Sequence, residues 1–157
     1  MDIENQEFLL FLKCEQQNKL RFMIVGGYAV NYFGYHRATD DLDIWIAPTE
    51  ENKIHFLDTL RCMKYADEEI ALIAKEDFTT HFICSLGERP SIIDVLTIIY
   101  HRISFDEAEK ALVKHRLSED LVIPFVPYSF LKDIKLESSR GKDLFDIARL
   151  EELINKK

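Results

Sequence analysis

FMIVGGYAVNYFGYHRATDDLDIWIA, residues 22–47, is the stretch whose reading decides the fold. A short apolar run, Phe22 to Val25, ends in Gly26-Gly27, and a second run, Leu42 to Ala47, carries Asp43 with Asp41 just ahead of it. Side chains two apart on a strand point to the same face, so Asp41 and Asp43 form a carboxylate pair suited to a metal. The glycine pair lets a backbone pass close to an anion, and a helix starting there aims amides at the same place. The combination points to a metal-bound polyphosphate.

Working outward, Phe8, Leu9, Phe11 and Leu12 recur at near-helical spacing and predict a first amphipathic helix over residues 3–19. A short helix is expected over Tyr28 to Phe33, ended by Gly34. Pro48 stops the second strand, and Ile54, Leu57, Leu60 and Met63 then predict a helix from Thr49 to about Met63. Phe78 to Leu86 and Ser91 to Ile99 are rich in β-branched and aromatic residues, so Gly87-Glu88-Arg89-Pro90 between them reads as a hairpin loop. A helix over Phe105 to Val113, an extended Leu121 to Val126, and helices at about 128–138 and 142–154 complete the chain. The expected class is α/β (α+β): a mixed sheet flanked by helices, with C-terminal helices. One compact domain over residues 1–157 is expected, with about 127–157 forming a helical lobe.

Composition narrows the function. The 157 residues are 47% hydrophobic, enough for a sizeable core, and carry a formal net charge of -8. That balance gives no broad field for wrapping nucleic acid and disfavours RNA as a partner, while it suits a metal-nucleotide. Cys14, Cys62 and Cys84 are scattered, so neither a disulfide framework nor a zinc knuckle is indicated, and they read as reduced packing residues. No run approaches the roughly 18 apolar residues of a membrane span, so no membrane partner and a cytoplasmic, soluble protein are expected.

Asp94 strengthens the acidic site. An isolated Asp-x-Asp fits a solvated strand, but Asp94 stands inside Ser-Ile-Ile-Asp-Val-Leu-Thr, where burial of a lone carboxylate costs several kcal/mol unless it is paired or metal-bound. The expected partner is an arginine such as Arg37, water at an exposed strand end, or a divalent cation shared with Asp41 and Asp43. Three oxygen donors on neighbouring strands suit magnesium. For Lys135, Arg140 and Lys142 a solvated helix face competes with a role at a phosphate. Asp143 can favour a helix N-terminus, Asp146 can pair with Lys142, and Arg37 can neutralise Asp41. Tyr28 and Trp45 read as packing residues, and His36 and His81 as ordinary core or rim residues.

Val25-Gly26-Gly27, the segment Arg37-Ala38-Thr39-Asp40-Asp41-Leu42-Asp43-Ile44, and Asp94 on a later strand together resemble the nucleotidyltransferase superfamily, the group with a polymerase-beta-like core. The chain is most similar to the small bacterial members of abortive-infection and toxin-antitoxin type. Leu131-Lys132-Asp133-Ile134-Lys135 and Arg140-Gly141-Lys142-Asp143-Leu144-Phe145-Asp146 resemble their C-terminal signature. One departure is that Tyr28-Ala29 follows the glycine pair, where many members have Gly-Ser, so a phosphate-binding hydroxyl is absent there. The resemblance implies magnesium- or manganese-dependent transfer of a nucleoside monophosphate from a nucleoside triphosphate to a hydroxyl on a protein, an RNA end or a small molecule. It further implies Asp41, Asp43 and Asp94 as catalytic metal ligands, and Gly26, Gly27, Arg37, Thr39, Lys135 and Arg140 as nucleotide-binding residues. A partner protein or a second copy would then supply acceptor contacts. The competing expectation is a non-catalytic interaction protein, antitoxin-like or nucleotide-sensing, on the same fold.

Overall fold

The computed structural model describes residues 5–157. Among them the order is α1 (Gln6–Asn18), β1 (Phe22–Val25), α2 (Gly26–Tyr32), β2 (Leu42–Ile46), α3 (Glu50–Cys62), α4 (Asp67–Ala74), β3 (Ile83–Leu86), β4 (Ile93–Leu96), α5 (Phe105–Lys110), β5 (Val113–Arg116), β6 (Val122–Phe125), α6 (Tyr128–Ser138) and α7 (Gly141–Asn155). The strands form a six-stranded mixed sheet in the order β3-β4-β2-β1-β6-β5, with parallel pairs β2/β4 and β1/β6. The fold is therefore the mixed α/β sheet flanked by helices that the apolar runs predict.

Local rules account for the elements that place the site. Asn5 caps α1 by accepting from the Glu7 amide at 2.9 Å, and the first residues of the expected helix, 3 and 4, lie outside the described residues. All four residues of β1 are buried, as a central strand requires. On β2 the alternate residues Leu42, Ile44 and Ile46 have no exposed surface and pack with Ile93 and Val95 of β4. Alternation sends Asp43 to the opposite face. Tyr28 and Trp45 are buried as expected of packing residues, and Trp45 Nε1 donates to the Thr97 carbonyl at 3.0 Å.

The structure departs from the sequence reading in three places. α4 and β5 have no counterpart in it; α4 buries only Ile70, and β5 is an edge strand of largely exposed residues, so neither carries a clear apolar period. Both hairpin strands are shorter than expected, β3 because Phe78 to Phe82 runs outside the sheet and β4 because it spans only Ile93–Leu96. Cys14 and Cys62, expected to be reduced, are instead joined in a disulfide, leaving Cys84 free. The reason is tertiary: α1 and α3 pack together and bring the two Cα atoms to 5.6 Å across a sequence separation of 48. Among the described residues no helix is long and apolar enough to cross a membrane.

The bridge constrains the unfolded chain across that separation of 48 residues, which on the chain-entropy account contributes about 4 kcal/mol. Urea unfolding with and without reductant is expected to show a loss of that order in the wild type and in Cys84→Ser. The double variant Cys14→Ser/Cys62→Ser is expected to start lower and not respond to reductant.

Candidate functional site

The site begins with one row across the sheet. Ser85 on β3 faces Asp94 on β4, Asp94 faces Asp43 on β2, and Asp43 faces Val25 at the end of β1. Residues paired across neighbouring strands share a face, so Asp94 and Asp43 project to the same side. Asp41, two residues before Asp43, adds its charge there.

Gly26 closes the row against the next element. Its φ is +66°, and a Cβ on it would collide with the Asp43 carboxylate. Gly27 in turn leaves room for the Thr39 side chain and lies beside Arg37. The glycine pair therefore lets two functional side chains lie directly on the backbone that opens α2. Asn31 of α2 fixes the returning loop, with its Oδ1 accepting from the Arg37 amide at 2.8 Å and its Nδ2 donating to the Arg37 carbonyl at 3.0 Å.

These elements border a cleft of about 370 Å³, lined by Gly26, Gly27, the loop from Arg37 to Asp41, Asp43, Arg89, Lys135, Arg140, Lys142 and Asp143. The acidic side chains come from β2 and the loop before it, apart from Asp143 of α7. Most of the basic ones come from α6, α7 and their junction. Asp94 does not line this cleft but stands one strand beyond Asp43. It is half-buried rather than fully desolvated, because its neighbour β3 is an exposed edge strand, and its partner is neither an arginine nor another acid: Ser85 Oγ donates to Asp94 Oδ1 at 2.5 Å.

The C-terminal basic residues have partners that the local spacing does not reveal. Asp146 accepts two bonds from Arg37, Nε at 2.8 Å and Nη2 at 2.9 Å, and lies 3.0 Å from Lys135 Nζ. Lys135 also bonds Asp143 at 2.8 Å, and Asp143 accepts from Arg140 Nε at 2.8 Å and from Ser138 Oγ. The expected pairings of Asp146 with Lys142 and of Arg37 with Asp41 are thus replaced, since tertiary packing presents Asp146 to Arg37 and Lys135. Lys135 is 5% exposed, not a solvated residue on a helix face.

The charges respond accordingly. Burial pushes Asp43 up to about 6, helped by the like charges of Asp94 and Asp41 and opposed by Lys135 and Arg140. For Asp143 burial acts upward too, but bonds from Lys135 and Ser138 overcome it and hold the carboxyl down to about 2. Asp146 is likewise lowered, the Arg37 and Lys135 bonds outweighing burial.

Among the described residues no three His, Cys, Asp or Glu side chains converge closely enough to enclose a metal ion. The hard oxygen donors of Asp41, Asp43 and Asp94 nonetheless suit magnesium in kind, and a cation would relieve the repulsion that raises Asp43. Arg89 and Ser85 are site neighbours that the sequence reading missed. Arg89 sits in a loop with no periodicity, and Ser85 becomes visible only through strand register. In comparisons with known proteins, no family model matches the chain and no curated protein shows significant similarity to it.

The raised Asp43 yields a pH prediction. Its folded form holds a proton more tightly than the unfolded chain does, so stability that is full below pH 4 is lost as pH rises through 6. Asp43→Asn lacks that loss. In metal-free urea unfolding it is expected to match the wild type near pH 4 and to exceed it by about 2–3 kcal/mol at pH 8, the equivalent of a two-unit shift.

Proposed function

We propose that this cleft binds a nucleoside triphosphate together with a divalent cation and transfers the nucleoside monophosphate to a hydroxyl acceptor. The observation that carries the reading is the meeting of two sheet-side acids, Asp41 and Asp43, with a basic wall, Lys135, Arg140 and Lys142, around one cleft, with Asp94 paired to Asp43 one strand beyond it. A metal polyphosphate needs both signs of charge side by side, and few other small ligands do. The family resemblance of the glycine turn and the Arg37 to Ile44 segment supports the same chemistry.

Asp41 and Asp43 would hold magnesium or manganese, which when bound neutralises phosphate charge and acidifies the acceptor hydroxyl. The glycine turn seats the Asp43 carboxylate and Thr39 against the backbone at the edge of the cleft, where the phosphate chain would lie. Arg140 and Lys142 stabilise the negative charge that grows on the departing pyrophosphate. The acceptor oxygen forms its bond to the α-phosphorus as the α–β bridging bond breaks, and pyrophosphate leaves. Asp94, oriented by Ser85 one strand beyond Asp43, would take the hydroxyl proton of an acceptor that enters from the β3–β4 side of the cleft. Lys135 acts less directly. Held between Asp143 and Asp146, it sets the position of the basic wall and adds positive potential.

A second reading, nucleotide binding without transfer, is favoured by the carboxylates not converging among the described residues. One experiment separates the two. Titration of the protein with the four ribonucleoside triphosphates and magnesium, coupled to pyrophosphate release in the presence of cell lysate, is expected to show both binding and release. Asp43→Asn is expected to reduce release by at least about a hundredfold, in keeping with loss of a charge acting in the transition state. Binding with no pyrophosphate establishes the sensor, and absence of binding overturns the nucleotide reading.

A further inference from the structure

Among the described residues, five cationic side chains line the cleft: Arg37, Arg89, Lys135, Arg140 and Lys142. Arg37, Lys135 and Arg140 each lie within 3.0 Å of a carboxylate oxygen of Asp143 or Asp146. Among the described residues, Arg89 and Lys142 have no such partner. Lys142 sits one residue from Asp143 on α7. Arg89 alone reaches the cleft from the β3–β4 loop, and so approaches it from the sheet rather than from the C-terminal helices.

That loop is anchored although Arg89 is exposed. The Ser91 amide donates to the Glu88 carbonyl at 2.8 Å, and Asn5 Nδ2 ties Ser91 Oγ to the start of α1 at 2.8 Å. Gly87, at φ +81°, has no room for a Cβ against the Ser91 carbonyl, and Leu86 and Ile93 bury the strand ends on either side. In a chain of net charge -8 this leaves one uncompensated guanidinium on a fixed loop at the mouth of a charged cleft. A guanidinium presents a planar fork that meets two phosphate oxygens at once, which a lysine ammonium does not.

We propose that Arg89 is a substrate-binding residue of this cleft and that it selects for a polyphosphate chain over a single phosphate. The inference rests on the nucleotide reading above and assigns the β3–β4 loop a part in it. A monophosphate satisfied by the glycine turn and the basic wall leaves Arg89 idle, whereas a longer anionic chain engages both walls of the cleft.

The test is calorimetric titration, with magnesium present, of ATP, AMP and inorganic tripolyphosphate into wild type, Arg89→Ala, Arg89→Lys and Arg116→Ala. Arg89 is exposed, so its variants are expected to unfold at the wild-type urea midpoint. Arg89→Ala is expected to weaken ATP and tripolyphosphate by about ten- to a hundredfold, the scale of a charged hydrogen bond, and AMP by less than about twofold. Arg89→Lys recovers only part of the loss. Arg116→Ala, which removes the same charge from β5, leaves all three affinities unchanged. If the wild type binds ATP and Arg89→Ala weakens ATP and AMP equally, or neither, the inference fails while the nucleotide reading stands. A wild type that binds neither ATP nor tripolyphosphate overturns both.

Discussion

Asp146 is fully buried and is held by two cations at once, Arg37 from the loop before β2 and Lys135 from α6. Removing one partner of such a pair leaves a buried charge without compensation, which costs about 3–5 kcal/mol. The pairing therefore fixes more than itself. It locks α7 and α6 onto the segment that carries Thr39 and Asp41, and Asp143 extends the chain of alternating charges to Arg140. The cleft exists because these elements cannot drift apart without exposing or orphaning a charge.

The opposite wall is organised by a steric constraint. Gly26 has no side chain, so the Asp43 carboxylate lies against the start of α2, where burial and its acidic neighbours make ionisation unfavourable. A protein gains nothing in stability from like charges set side by side on one half-buried row. The sheet register holds that arrangement in place, and the proposed function gives it a use with a positively charged ligand. The acidic wall is destabilised when alone, and the basic wall is neutralised at Lys135 and Arg140 but not at Lys142. In the function proposed here, the ligand carries a cation on one side and an anionic chain on the other.

How much of this was legible in the sequence depended on range. β1 and β2 were readable because β1 is a continuous apolar run, β2 is apolar apart from Asp43, and both are bounded by glycine, aspartate or proline, and the Asp41/Asp43 spacing survives any tertiary arrangement of a strand. Asp94 was recognisable as an acid out of place in an apolar run, but its degree of burial was not, since that depends on β3 being an edge. The partners of Arg37 and Lys135 were hidden: Asp146 is 109 residues from Arg37, and helical spacing suggested Lys142 for it instead. The Cys14–Cys62 bridge was hidden for the same reason. Short polar elements such as β5 carry no periodic signal, and Arg89 becomes a site residue only once the hairpin is docked beside β2.

The central claim is that acidic face and basic wall act on one ligand. Crystals grown or soaked with manganese and a non-hydrolysable nucleoside triphosphate analogue test it directly, because manganese is located by its anomalous signal. Manganese is expected between the Asp43 carboxylate and the phosphate chain, with the phosphates also reaching Arg140 or Lys142. Manganese bound away from Asp43, or a nucleotide lodged outside this cleft, would contradict the claim.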